Sequence, residues 1–426
     1  MQSDISIARI KQFPLLMWIL LFGAFITRGS FYMVWPFLAV ILYDRFEISA
    51  TEVGMILSFA AIISVFIGFI GGTLSDHFGR KHLMYASGIL YVISFSLLAE
   101  VSTITGYVVV ITLCSIATSI WQPPTSALIG DIISDAKTRE LAMQARYFMV
   151  NVGSAFGPLI GVWFGLTGKQ SSFHITAFAF AFLLILLFFG FRHQSKIEQK
   201  HKQEQKEAQP VDTGRNDNHA GDKTSLRQTI IILVQDRLLQ CLIAANILCM
   251  FIYGQMDTSL IQYLTRSQVP DLLQLISAMI FTNSMVIITS QFALLRMMAA
   301  MSLVKRVQIG LVLLTLSQIW LAINPLDLFW GWIGATVVMS LAEAILFPTM
   351  NVHIDRIAPA HLRGAYFGAA SFYSIGYALA PIGGGLILDA LGGFWLFSMG
   401  SILCLFVIYL YKIIDRMPRP EFQVES

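Results

Sequence analysis

Apolar runs of about 20 residues recur along the 426-residue chain, and each is long enough to cross a bilayer as a helix. They lie near 13–43, 52–73, 82–102, 105–131, 141–167, 173–192, 237–265, 271–298, 305–324, 328–352, 364–389 and 393–414, here called spans 1 to 12. Composition points the same way. Hydrophobic residues make up 56% of the chain and charged ones 12%, with a mean hydropathy of +0.70, unlike a soluble globular protein. The expected fold class is therefore all-α integral membrane. Span 1 is long and followed by many others, with no small-residue cleavage site after a short apolar core, so it reads as a retained helix and not as a removed signal.

A polar stretch at 193–223, rich in Lys, Glu, Gln and Asp, divides the spans six and six. Its low apolar content predicts a disordered cytoplasmic linker between an N-terminal bundle (1–192) and a C-terminal bundle (224–426). Residues 224–235 (TSLRQTIIILVQ) read as a short amphipathic helix on the membrane surface before span 7. The bases are sorted by side. Of 28 Lys and Arg, only Arg45, Lys169 and Arg266 fall on one side, and Arg28 lies within the membrane. The remainder fall on the side of the termini, which predicts that both termini are cytoplasmic. A net charge of +3 gives no reason to expect nucleic acid as a partner.

The halves repeat. Asp131 and Asp355 are 224 residues apart, as are Arg139 and Arg363, while Gly153, Pro158 and Gly161 return 223 residues later as Gly376, Pro381 and Gly384. An internal repeat of this length implies two six-helix bundles related by an axis along the membrane normal. Cys114, Cys241, Cys249 and Cys404 all lie in apolar segments and read as small packing residues, not as a disulfide framework.

Between spans 2 and 3 the chain reads Gly72-Thr-Leu-Ser-Asp76-His-Phe-Gly79-Arg80-Lys81. Gly72 permits close helix approach, Gly79 a tight turn, and Arg80 and Lys81 hold the loop on the positive side. Asp76 is placed to pair with Arg80 or to face a helix N-terminus. The segment resembles the cytoplasmic loop between helices 2 and 3 of major facilitator superfamily transporters. That resemblance implies two pseudo-symmetric six-helix bundles, and a gate in which the loop carrying Gly72, Asp76, Gly79 and Arg80 meets the start of span 11. Gly153, Gly157, Pro158 and Gly161 in span 5 resemble the pattern of antiporters in that superfamily, although Val162 replaces its final glycine. Physically, Pro158 removes a helix hydrogen bond and the glycines allow close packing. The string can act as a seal or pivot, or as a plain packing face. Trp121 to Leu128 and Arg28 to Phe31 look like bacterial multidrug-efflux members. The arginine of that family's fourth helix is absent here, where the chain reads Thr112-Leu113-Cys114.

Charges at membrane depth cost about 2.5–3.5 kcal/mol on insertion scales, so they mark function. Arg28 in span 1, Asp257 in span 7 and Glu343 in span 10 stand out. The resemblance implies that spans 1, 4, 7 and 10 line a central cavity. A carboxyl group away from water favours its neutral form, which makes Glu343 the first candidate for proton coupling and Asp257 the second. Asp257 has Arg28 as a possible counter-charge across the cavity. Arg28, Tyr32, Trp121, Gln122, Tyr253, Gln255, Asn283, Gln291 and Tyr377 are candidate substrate-binding residues, offering charge, stacking and hydrogen bonds. Two acids against one base predict a preference for lipophilic or cationic cargo. No metal-ligand spacing or Walker A string occurs, so neither metal nor other cofactor is expected, and the chain is not expected to be an enzyme.

The sequence thus predicts a monomeric secondary transporter in a bacterial inner membrane, exporting small amphipathic compounds or drugs in exchange for protons. One alternative is transport of a single metabolite (a sugar, siderophore or peptide), with symport open. Another, of a different class, is a non-transporting receptor or scaffold.

Overall fold

The computed structural model describes residues 7–133, 135–208, 226–298, 300–358 and 363–417, and within these the side chains of some helical residues, 69–77 among them, fall outside the description. Each expected span is helical, with a 3-10 turn inside span 1 (Trp35–Phe37) and span 11 (Ser371–Tyr373) and a break at 255–258 inside span 7. Spans 1 to 6 are Leu15–Phe46, Ala50–Phe78, Arg80–Glu100, Ile104–Ile132, Ala136–Trp163 and Phe173–Ala208. Spans 7 to 12 are Arg237–Arg266, Leu272–Met297, Leu303–Ile323, Phe329–Ile357, Gly368–Leu391 and Gly393–Ile414.

Eleven helices among the described residues are long and apolar enough to cross a membrane. Span 5 has the length, but the charges of Arg139, Glu140 and Arg146 dilute its first half. The chain starts its helices with residues suited to the task. Ser49 and Glu52 form a reciprocal capping box, and Thr103, Asp135, Asp236 and Ser302 each accept a first-turn amide, satisfying donors that a helix leaves free. Gly79, at φ +82°, makes the sharp break between spans 2 and 3.

Two apolar cores fill the two halves. The first gathers spans 1 to 6 around Phe37, Phe95, Tyr107 and Phe173, with Ile261, Ile276 and Ile280 reaching in from spans 7 and 8. The second gathers spans 7 to 12 around Trp332, Phe397 and Tyr411. The sequence repeat is visible in the packing. A Cβ on Gly153 would stand 2.6 Å from the Phe25 carbonyl of span 1, and one on Gly157 would collide with the backbone of Gly29. In the other half, a Cβ on Gly376 would strike the Ile247 carbonyl of span 7. Span 5 thus lies on span 1 as span 11 lies on span 7, backbone against backbone.

Some sequence expectations need correction. Span 6 continues to Ala208, so 193–208 is helical where a disordered linker is expected. Lys, Glu and Gln are good helix formers, and extension of an existing helix needs no new nucleus. The short helix before span 7 runs Leu226–Gln235, and 209–225 lie outside the described residues. Arg80 pairs with Asp131 at the end of span 4 and donates to the Ala127 carbonyl at 2.7 Å. Gly72 and the Asp76 side chain, like those of Asp355 and Arg363, lie outside the described residues.

The bundles join on the side away from the N-terminus. Asp389, at the end of span 11, accepts the Ala50 and Thr51 amides at the start of span 2, at 3.1 and 2.7 Å. Arg266 donates to the Ile48 carbonyl at 2.9 Å and lies 4.6 Å from the Tyr43 ring centre. Deeper in, the Ile382 amide donates to Ser58 Oγ at 3.0 Å. A Cβ on Gly54 or Gly385 would collide with backbone of the opposite bundle. These contacts close one end of the passage between the halves.

Candidate functional site

Two cavities lie between the bundles. The first, of about 500 Å³, is lined by Arg28, Tyr32 and Trp35 of span 1, Asp257 of span 7, and Tyr377 and Pro381 of span 11. The second, of about 700 Å³, takes Tyr147 and Asn151 from span 5, Gln291 from span 8, and Glu343, Phe347 and Pro348 from span 10. Both volumes are in the range of small-molecule sites. Met250 lines both, so the cavities meet there. The second cavity is built from the first half of span 5 and the last halves of spans 8 and 10, which puts it toward the side of the N-terminus.

Glu343 is held by neutral donors. Its Oε2 accepts from Tyr253 Oη at 2.6 Å and from Asn283 Nδ2 at 2.7 Å, and Asn283 also donates to Ser340 at 3.0 Å. No Lys, Arg or His among the described residues forms an ion pair with it. The edge of the Tyr253 ring meets Phe347 at 4.9 Å between ring centres. Both donors converge on one oxygen, so Oε1 can take up a proton while both bonds persist.

Asp257 accepts a hydrogen bond from Tyr377 Oη. It shares the first cavity with Arg28, but no ion pair between the two forms. The Arg28 guanidinium instead lies over the rings of Phe31 and Tyr32, 5.5 and 5.4 Å from their centres, a cation–π arrangement. Among the described residues Arg28 makes no hydrogen bond or ion pair.

Trp121 and Gln122 of span 4 line a recess of about 40 Å³ with Arg28 and Arg146. Trp121 is buried there, edge-on to Phe180. Gln122 accepts from Arg146 Nη2 at 2.9 Å, and Arg146 Nη1 is 3.5 Å from Ser126 Oγ. Gln291 lines the second cavity, whereas Tyr253 and Asn283 reach it through Glu343. Gln255 is not brought to either cavity. It is buried, donates to the Phe251 carbonyl at 3.1 Å and packs at Gly384. Gly153, Gly157 and Gly161 are contact points between span 5 and its own bundle, with Gly161 against Met33 and Thr167, and Pro158 sits inside the helix.

Arg146 is the residue the sequence reading misplaces. Counted there as a base beside a loop, it is half-buried in the recess, because span 5 begins at Ala136 and not near 141. A signal existed. Arg146 lies seven residues before Gly153, two helical turns away and on the same face. Arg146 adds a second base to the recess, while the two larger cavities are lined by Arg28, Asp257 and Glu343, the one base and two acids expected from the sequence.

Residues 20–374 match the Major Facilitator Superfamily profile. The chain belongs to this superfamily. It is 26% identical over 406 residues to YqjV of Bacillus subtilis, an uncharacterised MFS-type transporter, covering 93% of each chain. It is 26% identical over 432 residues to a Na(+), Li(+), K(+)/H(+) antiporter of Planococcus maritimus, covering 94% of this chain and 98% of the relative. A shorter stretch, 37% of this chain and 38% of the relative, is 24% identical to the multidrug resistance protein MdtH of Yersinia pestis. Among solved structures, a peptide transporter POT in complex with sulfate superposes with a TM-score of 0.73 at 16% identity, covering 96% of each chain. The nucleoside transporter NupG does so with 0.74 at 13% identity, covering 94% of this chain and 99% of that one. These superpositions speak for the superfamily fold alone. Membership makes the protein a multi-pass membrane transporter of a small molecule, in keeping with a bacterial cell membrane, and points away from an enzyme.

Proposed function

We propose that this transporter exports small amphipathic compounds in exchange for protons, by alternating access, with Glu343 as the proton-carrying group. The observation that carries the reading is the environment of Glu343. It lines the larger cavity and has neutral donors on one oxygen, no cation partner among the described residues, and a second oxygen left for a proton. A carboxyl group in such a place changes charge at the lowest cost to its surroundings, since no buried counter-ion is left unpaired when it is neutral. Asp257 is the second titrating group, steadied by Tyr377. Tyr32, Trp121, Gln122 and Gln291, with Met250 and Phe347, supply an adaptable wall of rings and hydrogen-bonding groups.

With the termini in the cytoplasm, as the bases imply, the cavity receives cargo from the cytoplasm while the joint at Asp389, Arg266 and Ser58 closes the outside. Residues 1–192 and 224–426 are the units that rock, and the 72–80 segment, the last turns of span 2 and its junction with span 3 at Gly79, is the gate that forms on the cytoplasmic side when they do. A proton arriving from outside neutralises Glu343 and leaves inward after the bundles tilt. Moving one charge through a 100 mV potential supplies about 2.3 kcal/mol. Relatives named as an antiporter and as a multidrug resistance protein support this reading. The full-length match to the Planococcus antiporter also favours a second one, exchange of a monovalent cation for a proton at the same acids.

The test uses purified protein in liposomes with ethidium as cargo. Glu343→Gln should keep counterflow, which needs no net proton movement, and lose proton-driven transport. Survival of both would remove the proton from Glu343. Proton movement driven by sodium or potassium, with no ethidium transport by the wild type, would select the second reading.

A further inference from the structure

Charge in the passage is divided between the bundles. Both cavity acids, Asp257 and Glu343, belong to the C-terminal half. The N-terminal half contributes Arg28 and Arg146, which line one recess of about 40 Å³, and among the described residues no Asp or Glu lines it. Two guanidinium groups beside one small space, without a carboxylate, repel each other in a setting that screens charge poorly. An anion entering the recess relieves that repulsion.

The hydrogen-bond inventory points the same way. Arg28 has five N–H donors and gives none to a described residue. Arg146 holds Gln122 by its Oε1, so the two Nε2 hydrogens of Gln122 remain for something else. The hydroxyl of Thr125 is spent on the Trp121 carbonyl at 2.7 Å, and that of Thr27 on the Gly23 carbonyl at 2.6 Å. The polar side chains of the recess therefore offer donors, with rings of Phe31, Trp121 and Phe180 around them. Its volume suits a few atoms, such as one carboxylate. Arg28 and Phe31 line both the recess and the 500 Å³ cavity that holds Asp257, so a molecule seated in that cavity has an anion site at one end and an acid at the other.

We propose that the recess at Arg28 and Arg146 is a carboxylate subsite, and that the exported compounds are amphoteric, with the anionic end held there and a cationic end turned toward Asp257. The proposal deepens the export reading and rests on it. Arg28 makes the direct contact. Arg146 adds charge and positions Gln122.

The experiment measures equilibrium binding, so it does not depend on proton coupling. Norfloxacin, which carries an amine and a carboxylate, is compared with its ethyl ester, which keeps only the amine. Binding to full-length protein in detergent is followed by fluorescence, with Trp121 as a reporter beside the recess. The wild type should prefer the acid by about tenfold, close to the lower bound for one hydrogen bond to a charged group. Arg28→Gln should abolish the preference and Arg28→Lys should keep part of it. Gln122→Ala should reduce the preference without abolishing it, and serves if Arg28→Gln does not fold. Equal affinity of the wild type for acid and ester, binding of neither, or an Arg28→Gln variant that still prefers the acid would each overturn the proposal. Loss of coupling in Glu343→Gln bears on the export mechanism alone, so the two readings can fail separately.

Discussion

Asp389→Asn should shift the transporter away from the conformation described here. The carboxylate accepts two amides from the first turn of span 2, one on each oxygen, at 3.1 and 2.7 Å. Asparagine keeps one acceptor oxygen and presents an amide to the other N–H, so one bond and the charge are lost. A charged acceptor at an exposed helix N-terminus contributes about 0.3–1 kcal/mol through the dipole, and a net hydrogen bond about 0.5–1.5 kcal/mol. Asp389 is exposed, and solvent competes for both, so we take about 1 kcal/mol for the sum. The contact joins opposite bundles and breaks when they part on this side. The loss therefore falls on one conformation, and the ratio of conformers should move about fivefold. Spin labels on the loop between spans 1 and 2 and on the loop between spans 7 and 8 would read that ratio as two distance populations. Asp389→Glu should shift it less. An unchanged distance distribution in a folded Asp389→Asn variant would refute the idea that this carboxylate stabilises the closed side.

Gly157→Val puts a branched side chain where even a Cβ strikes the Gly29 backbone, and because backbone yields little, a loss of about 3 kcal/mol is expected. Thermal melting in detergent checks it against Gly368→Ala, where nothing lies within 4 Å of the added carbon; equal melting of the two would contradict the packing. Tyr253→Phe removes one of two donors to Glu343, worth about 1 kcal/mol. It should slow proton-driven transport about fivefold while counterflow persists, and equal slowing of both would assign Tyr253 to cargo binding instead.

The spans were readable because lipid imposes one rule on every residue that crosses it: long apolar runs become helices. The Gly-Pro repeat was readable for a related reason, since only small residues allow the span 1–5 and span 7–11 backbones to touch. Side-chain destinations were less legible. Arg146 is a base near a helix end by sequence, and only the true start of span 5 puts it inside. The 193–208 segment looked unstructured because it lacks apolar residues, yet a soluble helix needs none when it continues an existing one. Gln255 and Asp257 are two residues apart at membrane depth, but they point to different neighbours, one to Gly384 and one into the cavity. Composition alone does not separate them.

Pro348 and Pro381 line the two cavities from inside spans 10 and 11. Proline has no amide to return to the carbonyl one turn earlier, so Ala344 and Tyr377 lose the regular helical partner of their backbone oxygens. Both residues line the cavities, Ala344 next to Glu343 in the chain and Tyr377 bonded to Asp257. A peptide oxygen away from bulk solvent has to find a donor. The wall beside each acid therefore sets a backbone acceptor next to a carboxyl group, a pairing that favours a guest bringing hydrogen-bond donors over a wholly apolar one.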